Sequence, residues 1–204
     1  MSGSRAGASM NPEAAGRLLG LLRAGEQSAM LTFGRLSRRL SAASEARARQ
    51  ALLELEADEC RHDLLLATTA ASMGISAVRP AARVRHFFLK MESRELAVHL
   101  ARVAALDSCV CQLLARVLSP KQGAKLPAIL AQALTQIQRD EGRHVRVARA
   151  LALDLGVGAA VLHEQNDATR YAFAQVIDQY EPAFIDLGVA FEPLRQRIAR
   201  DASL

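Results

Sequence analysis

Leu19, Leu22, Met30 and Phe33 recur at intervals of three and four, so on a helix they form one apolar stripe, and Glu26 sits in its middle. Leu100, Val103, Val110 and Leu114 repeat the arrangement around Asp107. Ala, Leu, Arg, Glu and Gln dominate the chain while Gly and Pro gather at a few places, which predicts an all-α fold. Asn11-Pro12 supplies a cap and first turn for a helix running to about Leu40. Further helices are expected from about Ser44 to Gly74, Lys90 to Leu118 and Leu126 to Gly156. Residues 75–89 form a long connection in which Pro80 forbids a continuous helix, and beyond the Gly-Val-Gly at 156–158 one or two more helices, broken near Pro182, occupy about 159–200. The expected organisation is a disordered segment 1–10 followed by a single helical domain 11–204, with a four-helix core at about 12–156.

The polar positions carry a repeat. Asp-Glu-Cys-Arg-His at 58–62 returns as Asp-Glu-Gly-Arg-His at 140–144, and each copy spaces Glu and His by three: Glu59 with His62, Glu141 with His144. That spacing stacks two metal-ligating side chains one turn apart on one helix face. In an antiparallel hairpin, residues equidistant from the turn lie at one level. Across the break near Ser41–Ser44 the partner of Glu59 is Glu26, and across residues 119–125 the partner of Glu141 is Asp107. Glu13, Glu92 and Glu95 lie at the wrong level. Glu26, Glu59, His62, Asp107, Glu141 and His144 therefore make four carboxylates and two imidazoles from four helices, an inventory for two divalent metals. Burying the carboxylates without a cation would be prohibitively costly. Glu56 and Asp63 neighbour Glu59 and read as solvated, with either available as a spare ligand; His86, His99 and His163 receive no role.

Composition narrows the classes. Three cysteines without a CxxC pair exclude a zinc ribbon, a rubredoxin-type centre and a disulfide framework. The net charge of +5 is mostly arginine, but two tyrosines and no tryptophan leave little to stack on bases, so no nucleic-acid partner is expected. No uninterrupted apolar run reaches the length of a membrane span and the opening residues lack the apolar block of a secretory signal, which points to a cytoplasmic protein without a membrane partner.

An acid, about thirty residues, then DExRH, with the whole repeated, resembles the signature of the di-iron carboxylate proteins of the ferritin-like superfamily. It is most similar to their oxygen-activating branch: bacterial multicomponent monooxygenase hydroxylases, acyl-carrier desaturases and N-oxygenases. The resemblance covers about residues 12–156 and implies a ferritin-like four-helix bundle with one long crossover and extra C-terminal helices. It makes Glu26, Glu59 and His62 one ligand set and Asp107, Glu141 and His144 the other. Asp58 and Asp140 would each accept a hydrogen bond from the histidine of the opposite motif, with Arg61 and Arg143 pairing to them. Asp107 departs from the usual glutamate, and Cys111 stands where a threonine often assists oxygen activation. Tyr171 and Tyr180 both lie in the tail, which argues against a stable tyrosyl radical.

The resemblance implies two irons, or a manganese–iron mixture, with O₂ as co-substrate. The expected function is an oxygenase or oxidase that hydroxylates, desaturates or N-oxidises a small organic or carrier-bound substrate, in a pocket lined by Leu22, Met30, Val110 and Cys111. The chain shows no flavin or nicotinamide fingerprint, so electrons would come from a separate reductase or ferredoxin. The alternative is a ferroxidase or a peroxide-scavenging, rubrerythrin-like protein. A homodimer is compatible with either.

Overall fold

A computed structural model describes residues 10–41, 45–119 and 126–200. The described residues form helices and connecting turns, with no strand among them. In chain order the helices are α1 (Pro12–Arg39), α2 (Ala46–Ser72), α3 (Ala82–Met91), α4 (Leu96–Val117), α5 (Ala128–Asp154), α6 (Ala159–Ile177), α7 (Glu181–Asp186) and α8 (Phe191–Arg200). The segment expected to be disordered lies outside the described residues except for Met10, which packs against the core. Residues 42–44, 120–125 and 201–204 also lie outside them.

Local chemistry sets the helix ends. Asn11 accepts hydrogen bonds from the backbone N–H groups of Glu13 and Ala14, and Pro12 opens the first turn. α2 and α5 stop at Gly74 and Gly156, whose positive φ angles let the chain fold back, so that Ile75 N–H reaches Ala70 O and Val157 N–H reaches Ala152 O.

The connection after α2 corrects the sequence reading. Extended residues 75–79 cross α1, where Val78 N–H donates to Gly16 O. A side chain at Gly20 would collide with the Val78 carbonyl, so α1 receives this segment on bare backbone. Two residues beyond Pro80 the chain turns helical. Val84, Phe87, Phe88 and Met91 are spaced three, one and three apart, and all are buried. α3 thus occupies most of the expected loop, and the next helix starts at Leu96 rather than Lys90 because residues 92–95 form the break.

α1 packs along α2, and α4 along α5. The pairs meet where α2 and α5 run antiparallel: Arg47 lies beside Asp154, Asp58 beside His144 and His62 beside Asp140. α2 and α4 consequently run in the same direction, which is why the connection between them has to traverse the molecule. α6 and α8 cover α4, and α7 rests on α1. By mean hydropathy α4 is long and apolar enough to cross a membrane, unlike the expectation from uninterrupted runs; half of its apolar stretch is buried in this fold, against α5, α6 and α8.

The core is divided in two. One apolar cluster contains Leu22, Leu66, Leu113 and Ile137; the other contains Phe33, Leu55, Val103 and Ala148. Glu26, Glu59, His62, Asp107, Glu141 and His144 fall between these flanking positions on all four long helices. A polar layer is therefore sandwiched between two apolar ones.

Candidate metal centre

The six residues converge in that layer and are buried, with relative exposures from 0 to 8 %. Ligand atoms of Glu26, Glu59, His62 and Glu141 lie within 4.8 Å of one another, and those of Asp107, Glu141 and His144 form a second such group. The two histidines present Nδ1 inward, with ring centroids 5.7 Å apart. His62 Nδ1 is 3.3 Å from Glu26 Oε2, 3.5 Å from Glu59 Oε2 and 3.5 Å from Glu141 Oε1. His144 Nδ1 is 3.4 Å from Glu59 Oε1 and 3.6 Å from Glu141 Oε2. Glu59 and Glu141 each turn one oxygen toward either half, the disposition of carboxylates shared between two cations.

The electrostatics fit cations at this position. Asp107 Oδ2 and His144 Nδ1 are buried with no hydrogen-bond partner among the described residues. A buried polar atom left in this way loses its hydration without replacement, and a cation beside both would restore it. Four carboxylates, if ionised, carry a charge that two divalent ions neutralise. Without metal, protons take that role. Burial, reinforced by the neighbouring Glu59, drives the Glu26 carboxyl well above its ordinary range, and burial with Glu141 and Glu59 does the same to Asp107. Burial also opposes ionisation of Glu59, but the close approach of Glu26, His144 and His62 outweighs it and holds that carboxylate ionised. Burial disfavours the charged imidazoles, yet contacts with Glu141 and Glu59 push His144 up to about 10, and Glu141, Glu26 and Glu59 raise His62 still further. The metal-free centre is thus filled with protons that entering cations must displace.

The outward ring nitrogens are held too. His62 Nε2 donates to Asp140 Oδ2 at 3.2 Å, and His144 Nε2 donates to Asp58 Oδ2 at 3.1 Å. Each motif therefore orients the histidine of the other, fixing which nitrogen faces the centre. The arginines differ from the symmetric expectation: both Arg61 and Arg143 pair with Asp58. Among the described residues the only ion pair of Asp140 is with His62, and its side chain is 26 % exposed. One half is locked by two guanidinium groups and the other touches solvent. The spare acids stay outside: Asp63 binds Arg23 and Gln27, while the Glu56 carboxylate packs on Gly34.

An apolar cavity of about 50 Å³ opens onto Glu26, Glu59, Asp107 and Glu141. Leu22 and Val110 line it as expected positions. Met30 and Cys111 do not. Met30 is half-buried, and Cys111 faces a separate outer cleft with Ser108 and Arg116, its thiol 3.7 Å from Gln138 O. Burial together with Glu141 and Asp107 pushes the Cys111 thiol up to about 12, so it remains protonated. The wall is completed by Phe88 of α3 and Phe173 of α6. Both were missed because they lie outside the four ligand-bearing helices; the apolar spacing around Phe88 was the available signal.

Compared with known proteins, the chain matches no family model, no curated protein and no solved structure.

Proposed function

We propose that this chain is a di-iron oxygenase or oxidase with a ferritin-like four-helix core, acting on a small organic substrate. Glu26, Glu59, His62 and Glu141 would hold one metal, and Asp107 and His144, with Glu59 and Glu141 shared, the other. Two irons held there would supply the electrons that reduce dioxygen. Glu59 and Glu141 tie the two halves together through both their oxygens. Asp58 and Asp140 keep the outer proton on each imidazole, so that Nδ1 stays available to the metal. Leu22, Val110, Phe88 and Phe173 keep bulk water from the reacting face and offer an apolar body its binding surface. A separate reductase or ferredoxin would replenish the electrons.

The observation that carries this reading is the apolar cavity ending on four carboxylates, because ferroxidation alone requires no organic pocket. Anaerobic loading with Fe²⁺ should bind two irons per chain. Reduced, loaded protein given O₂ and small aromatic or alkyl compounds should yield oxygenated or desaturated products, detected by mass spectrometry. A plateau at zero or one iron would remove the metal assignment. Rapid multiple-turnover Fe²⁺ oxidation with mineral formation, or rapid H₂O₂ consumption without an organic partner, would replace oxygenation with iron or peroxide handling.

A further inference from the structure

A second cavity, of about 40 Å³, lies between α1, α3 and α4 and shares Gly25, Ala29, Phe88, Leu106 and Asp107 with the first. Phe88, packed on Gly25, stands where the two meet. The second cavity has an unusual wall residue. His99 is 3 % exposed, and its Nδ1 lies 3.3 Å from the Met91 carbonyl at the end of α3, while its Nε2 has no hydrogen-bond partner among the described residues. Burial lowers the His99 pKa, which keeps the ring neutral. A neutral imidazole whose Nδ1–H donates to a carbonyl bears its lone pair on Nε2, so the unpartnered atom is an acceptor awaiting a donor. Phe33 meets the ring edge-on, at 6.2 Å between centroids, and helps hold it in place.

Resting on the oxygenase reading, we infer that His99 is a substrate-binding residue: its Nε2 accepts a hydrogen bond from the hydroxyl of a slender amphipathic substrate whose apolar end extends past Phe88 toward the metals. The geometry sets the size. His99 precedes Asp107 by two turns of α4, about 12 Å along the axis. A chain or ring with the hydroxyl at one end, on the order of ten non-hydrogen atoms, spans that interval. Ser28 and Thr32 of α1 add polarity only at the His99 end, whereas Leu21, Leu22, Val110 and Leu113 line the metal end. The substrate class is therefore a monohydroxylated hydrocarbon, oxidised at the end remote from its hydroxyl.

The test compares 4-ethylphenol with 4-ethyltoluene, which replaces the hydroxyl by a methyl of similar size. Binding is measured by calorimetry and by ¹⁵N NMR of the histidine side chains, using the full-length chain with and without metal. 4-Ethylphenol should move the His99 Nε2 resonance and 4-ethyltoluene should not. His99→Phe should lower the phenol-to-toluene affinity ratio about tenfold, the worth of one buried hydrogen bond. Metal stoichiometry should stay unchanged in that variant. A ratio unaffected by the substitution, or a phenol-induced shift absent from His99, overturns the inference. If His99→Phe does not fold, the wild-type NMR comparison decides alone. A wild-type chain that binds two metals but does not prefer 4-ethylphenol over 4-ethyltoluene refutes only the substrate class, whereas failure of the wild-type chain to bind two metals refutes the oxygenase reading.

Discussion

Replacing Asp58 or Asp140 by Asn separates two tasks that the repeated motif assigns to one residue type. Both aspartates accept from the outer nitrogen of a histidine, so either substitution should weaken Fe²⁺ binding by roughly 10- to 100-fold, about 1.4–2.7 kcal/mol. Their effects on folding should differ. Asp58 is buried and also receives Arg61 and Arg143, whose side chains are 60 % and 39 % exposed. Removing one member of a buried pair costs ~3–5 kcal/mol when its partner is stranded, but these arginines can turn to water, which reduces the expected loss to about 1–2 kcal/mol. Asp140 pairs with no arginine among the described residues and reaches solvent, so Asp140→Asn should cost about 0.5 kcal/mol. Denaturant midpoints of the metal-free variants measure the first quantity, and anaerobic calorimetry with Fe²⁺ the second. Asp63→Asn, which disrupts only the pairing with Arg23 and Gln27, is the control and should leave metal affinity alone. Equal destabilisation by the Asp58 and Asp140 variants, or unaltered metal affinity in either, would refute the reasoning.

Further outcomes follow from the same chemistry. The raised His144 value means that its contribution to metal-free stability is complete below about pH 6.5 and is lost as the pH climbs through about 10. Glu26 and Asp107, which hold protons in the fold, act in the same direction, while the depressed Glu59 matters only in acid. Calorimetric unfolding should show the metal-free midpoint falling over that window and the gain on metal addition growing; a gain that shrinks with pH would contradict proton displacement. Gly20→Ala sets a methyl against the Val78 carbonyl and should cost roughly 2–3 kcal/mol by denaturant titration. Gly142→Ala, between the two ligands of α5 but facing open space, should gain about 0.5–1 kcal/mol; the reverse order of these two would show that the crossover does not lie against α1.

The parts of the fold carried by local signals were legible from residues alone. Asn11-Pro12, Gly74 and Gly156 mark helix ends because capping and left-handed backbone are chemistry of a few adjacent residues. Glu26 and Asp107 were found because a hairpin converts sequence distance from a turn into height, and each sits alone in an apolar stripe. α3 was obscured by Pro80. Its stripe of Val84, Phe87, Phe88 and Met91 has helical spacing, but a ten-residue helix flanked by a proline reads as a connection until α1 and α6 give it something to cover. Phe173 and His99 could not be placed in the pocket by any local rule, since their roles depend on how α6 and α4 pack around the crossover.

The unequal halves of the centre show most clearly where sequence symmetry ends. Two copies of DExRH predict two equivalent Asp–Arg pairs, and the antiparallel meeting of α2 and α5 does give each histidine its opposite aspartate. It cannot make the surroundings equal, because the remaining helices do not repeat: α6 and α8 cover α4, whereas α1 is crossed by the extended segment 75–79 and by α3. Arg61 and Arg143 converge on Asp58, leaving the His62 side with three carboxylates around its inner nitrogen and an outer aspartate at the solvent edge. The inner nitrogen of His144 makes no hydrogen bond among the described residues, and that side shares Asp107 with both cavities. Two metals in this centre would therefore meet different environments: one beside Glu26 and His62 would have the larger set of close ligand atoms, and one beside Asp107 and His144 would face the pocket through the shorter carboxylate. A repeated motif placed in an unrepeated fold should therefore bind metal stepwise, with the His62 half filling first, and anaerobic calorimetry with Fe²⁺ should resolve two steps; a single step would refute the inequality.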